Sequence, residues 1–273
     1  MKKKFSCICC LFLLFRGFAV FGENFNLWGS GETFKVNPVT DGILFGSGIL
    51  LSGGDLLLDN VLGVNEAVYD SSIIWSKEDI NPFDRKFLHQ YNKKIDKISD
   101  AMLLGSLLTP AVFAATDKGE WATIAVMYAE TLLISNGIKE LTKLCVNRAR
   151  PYMYFDPSTY PEKDVKDGDF LNSFPSGHST MTFAAATFTT YVFCKYFSES
   201  NWKYAVAAGT YSLAVGTAIL RVAGGNHFAT DVITGAVLGS AVGFLVPWIH
   251  TFGTNEKLQM AVAPQTISFK INL

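Results

Sequence analysis

The sequence predicts an all-α protein: a helical bundle of about five to six core helices, embedded in a membrane, with short strands toward its ends. Three observations carry this reading. First, 49% of the 273 residues are hydrophobic and only 17% are charged. The mean hydropathy is +0.23, an apolar content between that of a soluble enzyme and that of a multi-span membrane protein. Second, five helical candidates follow one another, roughly 100–116, 120–145, 177–196, 203–221 and 227–249. Third, the runs Tyr204–Leu220 and Val232–Ile249 carry no charge and approach the length of about 20 apolar residues that a span requires. A net charge of −1 leaves no global basic field, so nucleic acid is not an expected partner.

The elements can be taken in order. Lys2–Lys4 form a basic head, Phe5–Phe15 an apolar run and Val20-Phe21-Gly22 a passable cleavage site, so 1–22 reads as a signal peptide or an N-terminal anchor. Either places 23–99 as an extracytoplasmic segment. Within it, Glu32–Val36 alternates weakly, Gly42–Leu58 is apolar apart from Asp55, and Asn60–Asp100 is polar and basic. Pro110 shortens the first candidate helix and Glu130 interrupts the second. A loop rich in Pro, Tyr, Asp and Lys, 151–173, precedes the third. In the last helix Gly235, Gly239 and Gly243 recur every four residues, a spacing that permits close helix approach in a bilayer or in a tight soluble bundle. The tail 251–273 holds Ile267–Leu273, whose period of two reads as a strand, with the piece near Phe34 as a pairing partner. Cys7, Cys9 and Cys10 lie in the leader, leaving Cys145 and Cys194 as small packing residues. They form no disulfide framework and no zinc spacing, so no metal is expected.

Three polar islands sit at helix ends. In KLCVNRARP, Lys143 and Arg150 are seven residues apart, hence on one face if the helix runs as far as Pro151. In LNSFPSGHST, Ser176-Gly177-His178 opens a helix whose first N–H groups lack partners and whose dipole favours an anion. In RVAGGNHFATD, Arg221 ends one helix and His227 and Asp231, four apart, open the next. There Asp231 can accept from one imidazole nitrogen and leave the other as a base or nucleophile. Each island alone admits an ordinary reading: a snorkelling basic helix end, an N-cap, a local His–Asp hydrogen bond. Together they hold three of the five arginines and two of the four histidines. Two guanidiniums and an ammonium at a helix N-terminus suit a tetrahedral oxyanion, most often phosphate.

Lys, six residues, Arg-Pro; then Pro-Ser-Gly-His; then Arg, five residues, His, three residues, Asp: this order resembles the three-part signature of the type 2 phosphatidic acid phosphatase superfamily, which includes vanadium haloperoxidases. The resemblance covers 100–250 as a phosphatase domain. Leu220 stands where the family often has Ser. What the resemblance implies is a metal-free, cofactor-free, two-step phosphatase. His227 would attack phosphorus and form a phosphohistidine, Asp231 would hold it, and His178 would protonate the leaving alkoxide and then activate water. Lys143, Arg150, Ser176, Gly177 and Arg221 would bind the phosphate oxygens. Arg148, Asn147, Lys163 and Lys166 read as rim or surface residues, and His89 and His250 as structural or exposed. The expected substrate is a lipid phosphate, with membrane lipids as surroundings, the inner membrane as location and a site facing the periplasm. A soluble periplasmic acid phosphatase is the alternative; a haloperoxidase or a non-catalytic scaffold is more remote.

Overall fold

A computed structural model describes residues 33–60, 67–116, 118–251, 258–263 and 266–271. The leader 1–22 lies outside them. Eight helices account for most of the described chain: α1 (Pro38–Asn60), α2 (Pro82–Arg85), α3 (Lys93–Leu107), α4 (Trp121–Cys145), α5 (Glu162–Lys166), α6 (Gly177–Tyr196), α7 (Trp202–Ala223) and α8 (Ala229–Ile249). All five expected helices are present. The first starts seven residues early, at Lys93, because Asn92 caps it: its side chain accepts from the N–H groups of Lys94 and Ile95. Pro110 does not end the run but turns it into a 3-10 segment, Thr109–Ala115. The apolar stretch from Gly42 lies within α1, which packs along α4.

The α6 helix is the hub, packed chiefly against α8 and α7, with α4 and α3 also touching it. The glycine stripe of α8 explains its closest contact. A Cβ at Gly235 would come within 2.6 Å of the Ser176 carbonyl oxygen, one at Gly239 would fall onto the carbonyl of Thr180, and one at Gly243 would reach 2.5 Å from the carbonyl of Ala184. The contact positions rise together in both helices, so α6 and α8 run parallel, backbone against backbone. The α7 helix therefore carries the chain back to the end where α6 begins, and the loop 223–228 reverses it there. Gly225 makes that turn at φ 74°, and a side chain there would also strike the Gln90 backbone at 2.6 Å.

Among the described residues three helical stretches are long and apolar enough to cross a membrane: Lys93–Ala115, Trp202–Ala223 and Ala229–Ile249. Apolar residues remain exposed on them, for example Leu104, Ile219, Ile233 and Val237. The buried apolar core, built around Phe113, Met127, Phe188 and Phe193, sits toward the far end of the bundle. A second cluster, Ala149, Tyr152, Met153 and Phe170, packs with Tyr69 and Trp75 beneath the 146–173 loop. That long connection is thus anchored by its own core.

Two expectations about the chain ends are corrected. The strand Thr266–Ile271 pairs antiparallel with Leu258–Ala263, Leu258 opposite Ile271, not with the region of Phe34. Residues 33–37 form no strand; Phe34 instead enters the core, and the Lys35 N–H donates to the His250 carbonyl at 3.1 Å. Nearby chain offers a hairpin partner at lower loop-closure cost. Cys145 is exposed and Cys194 half-buried, both free, so Cys145 is not a packing residue.

Candidate active site

The three islands meet at one end of the bundle. A cavity of about 490 Å³ is lined by Lys143, Arg150, Gly177, His178, Arg221 and His227, together with Asp96, Asp100, Asn136, Lys139, Lys163, Asp164, Asp169 and Asn226. Six of the eight expected site residues therefore face one space. Ser176 and Asp231 do not line it: both are fully buried behind it.

Lys143 projects from the last turn of α4. Arg150 arrives differently from the expectation. The helix ends at Cys145, six residues before Pro151, with Val146 already extended. Residues 148–150 then run alongside 170–173: Arg148 N–H donates to Leu171 O and Arg150 N–H to Phe170 O, both at 2.8 Å, and Ser173 N–H donates to Arg148 O at 3.0 Å. Arg150 is buried. Its Nη2 meets Asp169 Oδ2 at 2.6 Å, and its Nη1 lies 3.3 Å from both the Asn226 carbonyl and His227 Nε2. Arg221, from the end of α7, bonds Asp96 Oδ1 at 2.5 Å and Ser99 Oγ at 3.1 Å.

Gly177 opens α6 with Ser176 as its N-cap, and the Ser176 side chain faces the Ser179 N–H at 3.4 Å. Its hydroxyl oxygen accepts at the helix end, which leaves the O–H proton to donate. Lys139 lies against Gly177, 3.3 Å from a Cβ built there, so α4 presents two ammoniums four residues apart at the mouth of α6. His178 Nε2 hydrogen-bonds Asp100 Oδ1 at 2.8 Å.

His227 is 2% exposed. Its Nδ1 lies 2.7 Å from the Ser173 carbonyl. A carbonyl only accepts, so Nδ1 carries the hydrogen and Nε2 keeps its lone pair toward Arg150 and the cavity. Burial, then the charges of Arg150 and Arg221, holds this imidazole well below the usual histidine range, which keeps it neutral and nucleophilic. The expected direct bond to Asp231 is not made: the two groups are 3.7 Å apart. The Asp231 carboxylate is used by Ser173 Oγ at 2.6 Å, by the Phe228 N–H at 2.8 Å and by Arg148. It holds the backbone on both sides of the imidazole, Ser173 and Phe228, and acts on the ring through them.

Arg148, expected at the rim, is the second departure. Its guanidinium bridges Asp231 and Asp84, the latter at 2.7 Å, donates to Thr230 Oγ1 at 2.7 Å and stacks 4.1 Å over the Phe228 ring. Asp84 closes this frame from α2, accepting from the Thr230 N–H and hydroxyl at 2.9 and 2.6 Å. Burial pushes the Asp84 carboxyl up, but the hydrogen bonds from Thr230 and Arg148 outweigh it and hold it below the usual range. Sequence reading missed Asp84, Ser173, Asp169, Asp96 and Asp100, which lie outside the motifs. Lys139 was within reach, since its i, i+4 relation to Lys143 puts both on one helix face.

The cavity thus gathers five lysine and arginine side chains and four aspartates; both guanidiniums and the His178 imidazole are each held by an aspartate: Arg150–Asp169, Arg221–Asp96, His178–Asp100. Residues 124–254 match the PAP2 superfamily pattern. The Lipid A 1-phosphatase of Porphyromonas gingivalis is 32% identical over 160 residues, which are 58% of this chain and 31% of that protein. A PA-phosphatase related-family protein of Dictyostelium discoideum is 27% identical over 134 residues, 47% of this chain and 45% of that protein. The chain therefore matches less than half the length of either relative. The crystal structure of a transmembrane PAP2-type phosphatidylglycerolphosphate phosphatase from Bacillus subtilis aligns over 77% of this chain and 94% of its own, at 20% identity and a TM-score of 0.35. With the motif triplet drawn to one cavity and the family pattern followed throughout, residues 124–254 of this chain belong to the PAP2 superfamily.

Proposed function

We propose that the protein is a phosphatase that removes phosphate from a membrane lipid, a monoester or pyrophosphate, through a phosphohistidine and without a metal. The observation that carries this is the placement of His227 Nε2. Its lone pair faces a cavity lined by two guanidiniums, three ammoniums and the N-terminus of α6. A tetrahedral phosphate seated there finds donors on its equatorial oxygens and a neutral nucleophile behind it.

In the first step the Nε2 lone pair attacks phosphorus, the bond to the leaving oxygen breaks, and His178 delivers its proton to that alkoxide. In the second, His178 takes a proton from water, the hydroxide oxygen attacks phosphorus, the P–Nε2 bond breaks, and His227 leaves in its neutral form while phosphate is released. Asp100 orients His178 for both transfers. Arg150 and Arg221 exchange their aspartate partners for phosphate oxygens as charge develops.

The lipid class rests on the surroundings. Apolar helices with exposed Leu, Ile and Val side chains flank the phosphate cavity, so an amphiphile can lodge its head in the site with its tail in the bilayer. The name of the Porphyromonas relative is consistent with this. We place the chain in the inner membrane with the cavity facing the periplasm and 100–250 as the phosphatase domain. Purified protein in EDTA is expected to release phosphate from phosphatidate or undecaprenyl pyrophosphate in detergent faster than from an aryl phosphate, and His227→Ala to abolish it. Equal turnover of the aryl ester would favour a soluble scavenger; survival of activity in His227→Ala would remove the phosphohistidine. Orientation is tested by Cys145, exposed at the cavity end of α4. As the single cysteine it should react with a membrane-impermeant maleimide from the periplasmic side.

A further inference from the structure

At the end of the bundle opposite the cavity, three helices bring two acids and an imidazole into one buried cluster. Asp41 comes from the first turn of α1, Glu130 from the middle of α4, and His250 follows the last residue of α8. All three are buried, at 7%, 0% and 2% exposure, and one ligand atom of each lies within 4.8 Å of the others. The site is about 28 Å along α8 from Asp231, so it takes no part in the phosphate chemistry.

The polar atoms here do not balance. His250 Nδ1 lies 2.8 Å from the Val246 carbonyl, so Nδ1 carries a hydrogen and only Nε2 faces the acids. Nε2 is 2.8 Å from Asp41 Oδ1 and 3.3 Å from Glu130 Oε2. One nitrogen thus serves four carboxylate oxygens. Asp41 Oδ2 and both oxygens of Glu130 accept no hydrogen bond, and neither acid pairs with Lys or Arg among the described residues. With both acids ionised, even an imidazolium leaves a net negative charge sealed among apolar helices, a costly arrangement that either a proton held between Glu130 and Asp41 or a bound cation relieves. A divalent cation with a neutral imidazole brings the cluster to zero.

We propose that Asp41, Glu130 and His250 bind a divalent transition-metal ion of the zinc class, which ties α1, α4 and the end of α8 together. One imidazole with two carboxylates is a borderline donor set suited to zinc and its neighbours. The Nδ1–H to carbonyl bond is the support that orients a metal-ligating histidine and exposes Nε2. Bonds of about 2.0–2.2 Å separate tetrahedral ligand atoms by about 3.3 Å, so small side-chain shifts complete the site. The ligands lie 89 and 120 residues apart in sequence, which is why no spacing motif announces them.

The test uses untagged, full-length protein in detergent, stripped by chelating resin, incubated with Zn²⁺ and desalted. About one zinc per chain by mass spectrometry is expected, together with a Tm that rises with zinc concentration. Glu130→Gln and His250→Ala should lose both, while Glu130→Gln keeps its phosphatase turnover. Because a variant in a buried cluster can fail to fold, Co²⁺ is added to wild type in parallel. Visible d–d absorption displaced by Zn²⁺ supports the site. Wild type that retains no zinc, shows no Tm shift and gives no cobalt band overturns the proposal, as does equal zinc retention by wild type and folded Glu130→Gln.

Discussion

The two ends of the bundle handle charge in opposite ways. At the cavity end, Arg150, Arg221 and His178 are each paired with an aspartate and open onto about 490 Å³ of accessible space. At the far end, Asp41 and Glu130 share one imidazole and are sealed in. Aspartate-paired guanidiniums beside open space can trade a carboxylate for a phosphate oxygen at little desolvation cost, which suits that end to the proposed turnover. Acids crowded in a closed apolar setting favour a proton or a cation that stays, which suits the other end to the structural ion proposed above. Variants at the cavity end should therefore alter rate more than melting, and variants at the far end the reverse.

The largest expected effect is at the nucleophile. His227→Ala should lower kcat on the order of 10⁴-fold or more with little change in Tm, checked by phosphate release and thermal melting. A matching loss of Tm would mean that the ring is first of all a packing group and would blur the contrast between the ends. Next, Arg221→Ala should cost about 10²–10³-fold in kcat/KM, read with a lipid phosphate in detergent. Arg148→Ala, which touches no substrate, should cost up to about 10²-fold in kcat by releasing Asp231. Because Asp84 joins the same frame, Asp84→Asn and the double variant should be markedly less than additive. Strict additivity would detach Arg148 from the imidazole.

Between the two ends, Gly239→Ala should destabilise by about 1–3 kcal/mol, since its methyl group falls onto the Thr180 backbone where α6 and α8 touch. Unchanged denaturation would refute that contact. The smallest effect is the pH dependence of His227. Its pKa is lower folded than unfolded, so its contribution to stability is complete above about pH 6.5 and is lost as pH falls toward the folded value. Relative to His227→Gln, wild type should lose about 1.4 kcal/mol per pH unit below 6.5 and nothing above it, measured by melting across that range.

Much of the bundle was readable because helix periodicity, glycine spacing and caps are local. The five helices, the punctuation at Pro175-Ser176-Gly177 and the turn at Gly224-Gly225 all follow from contacts within a few residues. Five of the six expected residues that line the cavity do so for the same reason, since they sit at or beside helix ends; Arg150 instead reaches it from the extended segment after α4. Errors arose where a residue's role depends on distant chain. Arg148 reads as rim by its place beside a motif, yet Asp84 and Asp231 lie 64 and 83 residues away. The direct His227–Asp231 bond follows from i, i+4 spacing only if both residues are helical. His227 precedes α8, so the Ser173 carbonyl takes the imidazole hydrogen instead.

Composition and spacing alone determined the helical class, the approximate helix ends and six of the residues that meet at the cavity, because short-range sterics and motif order encode them. Only the tertiary structure decided which carboxylates hold each cation, how Arg150 reaches the cavity from an extended segment, and that Asp41, Glu130 and His250 meet at all. Those outcomes depend on which helix faces which, and that is settled by burial and charge pairing over the whole chain.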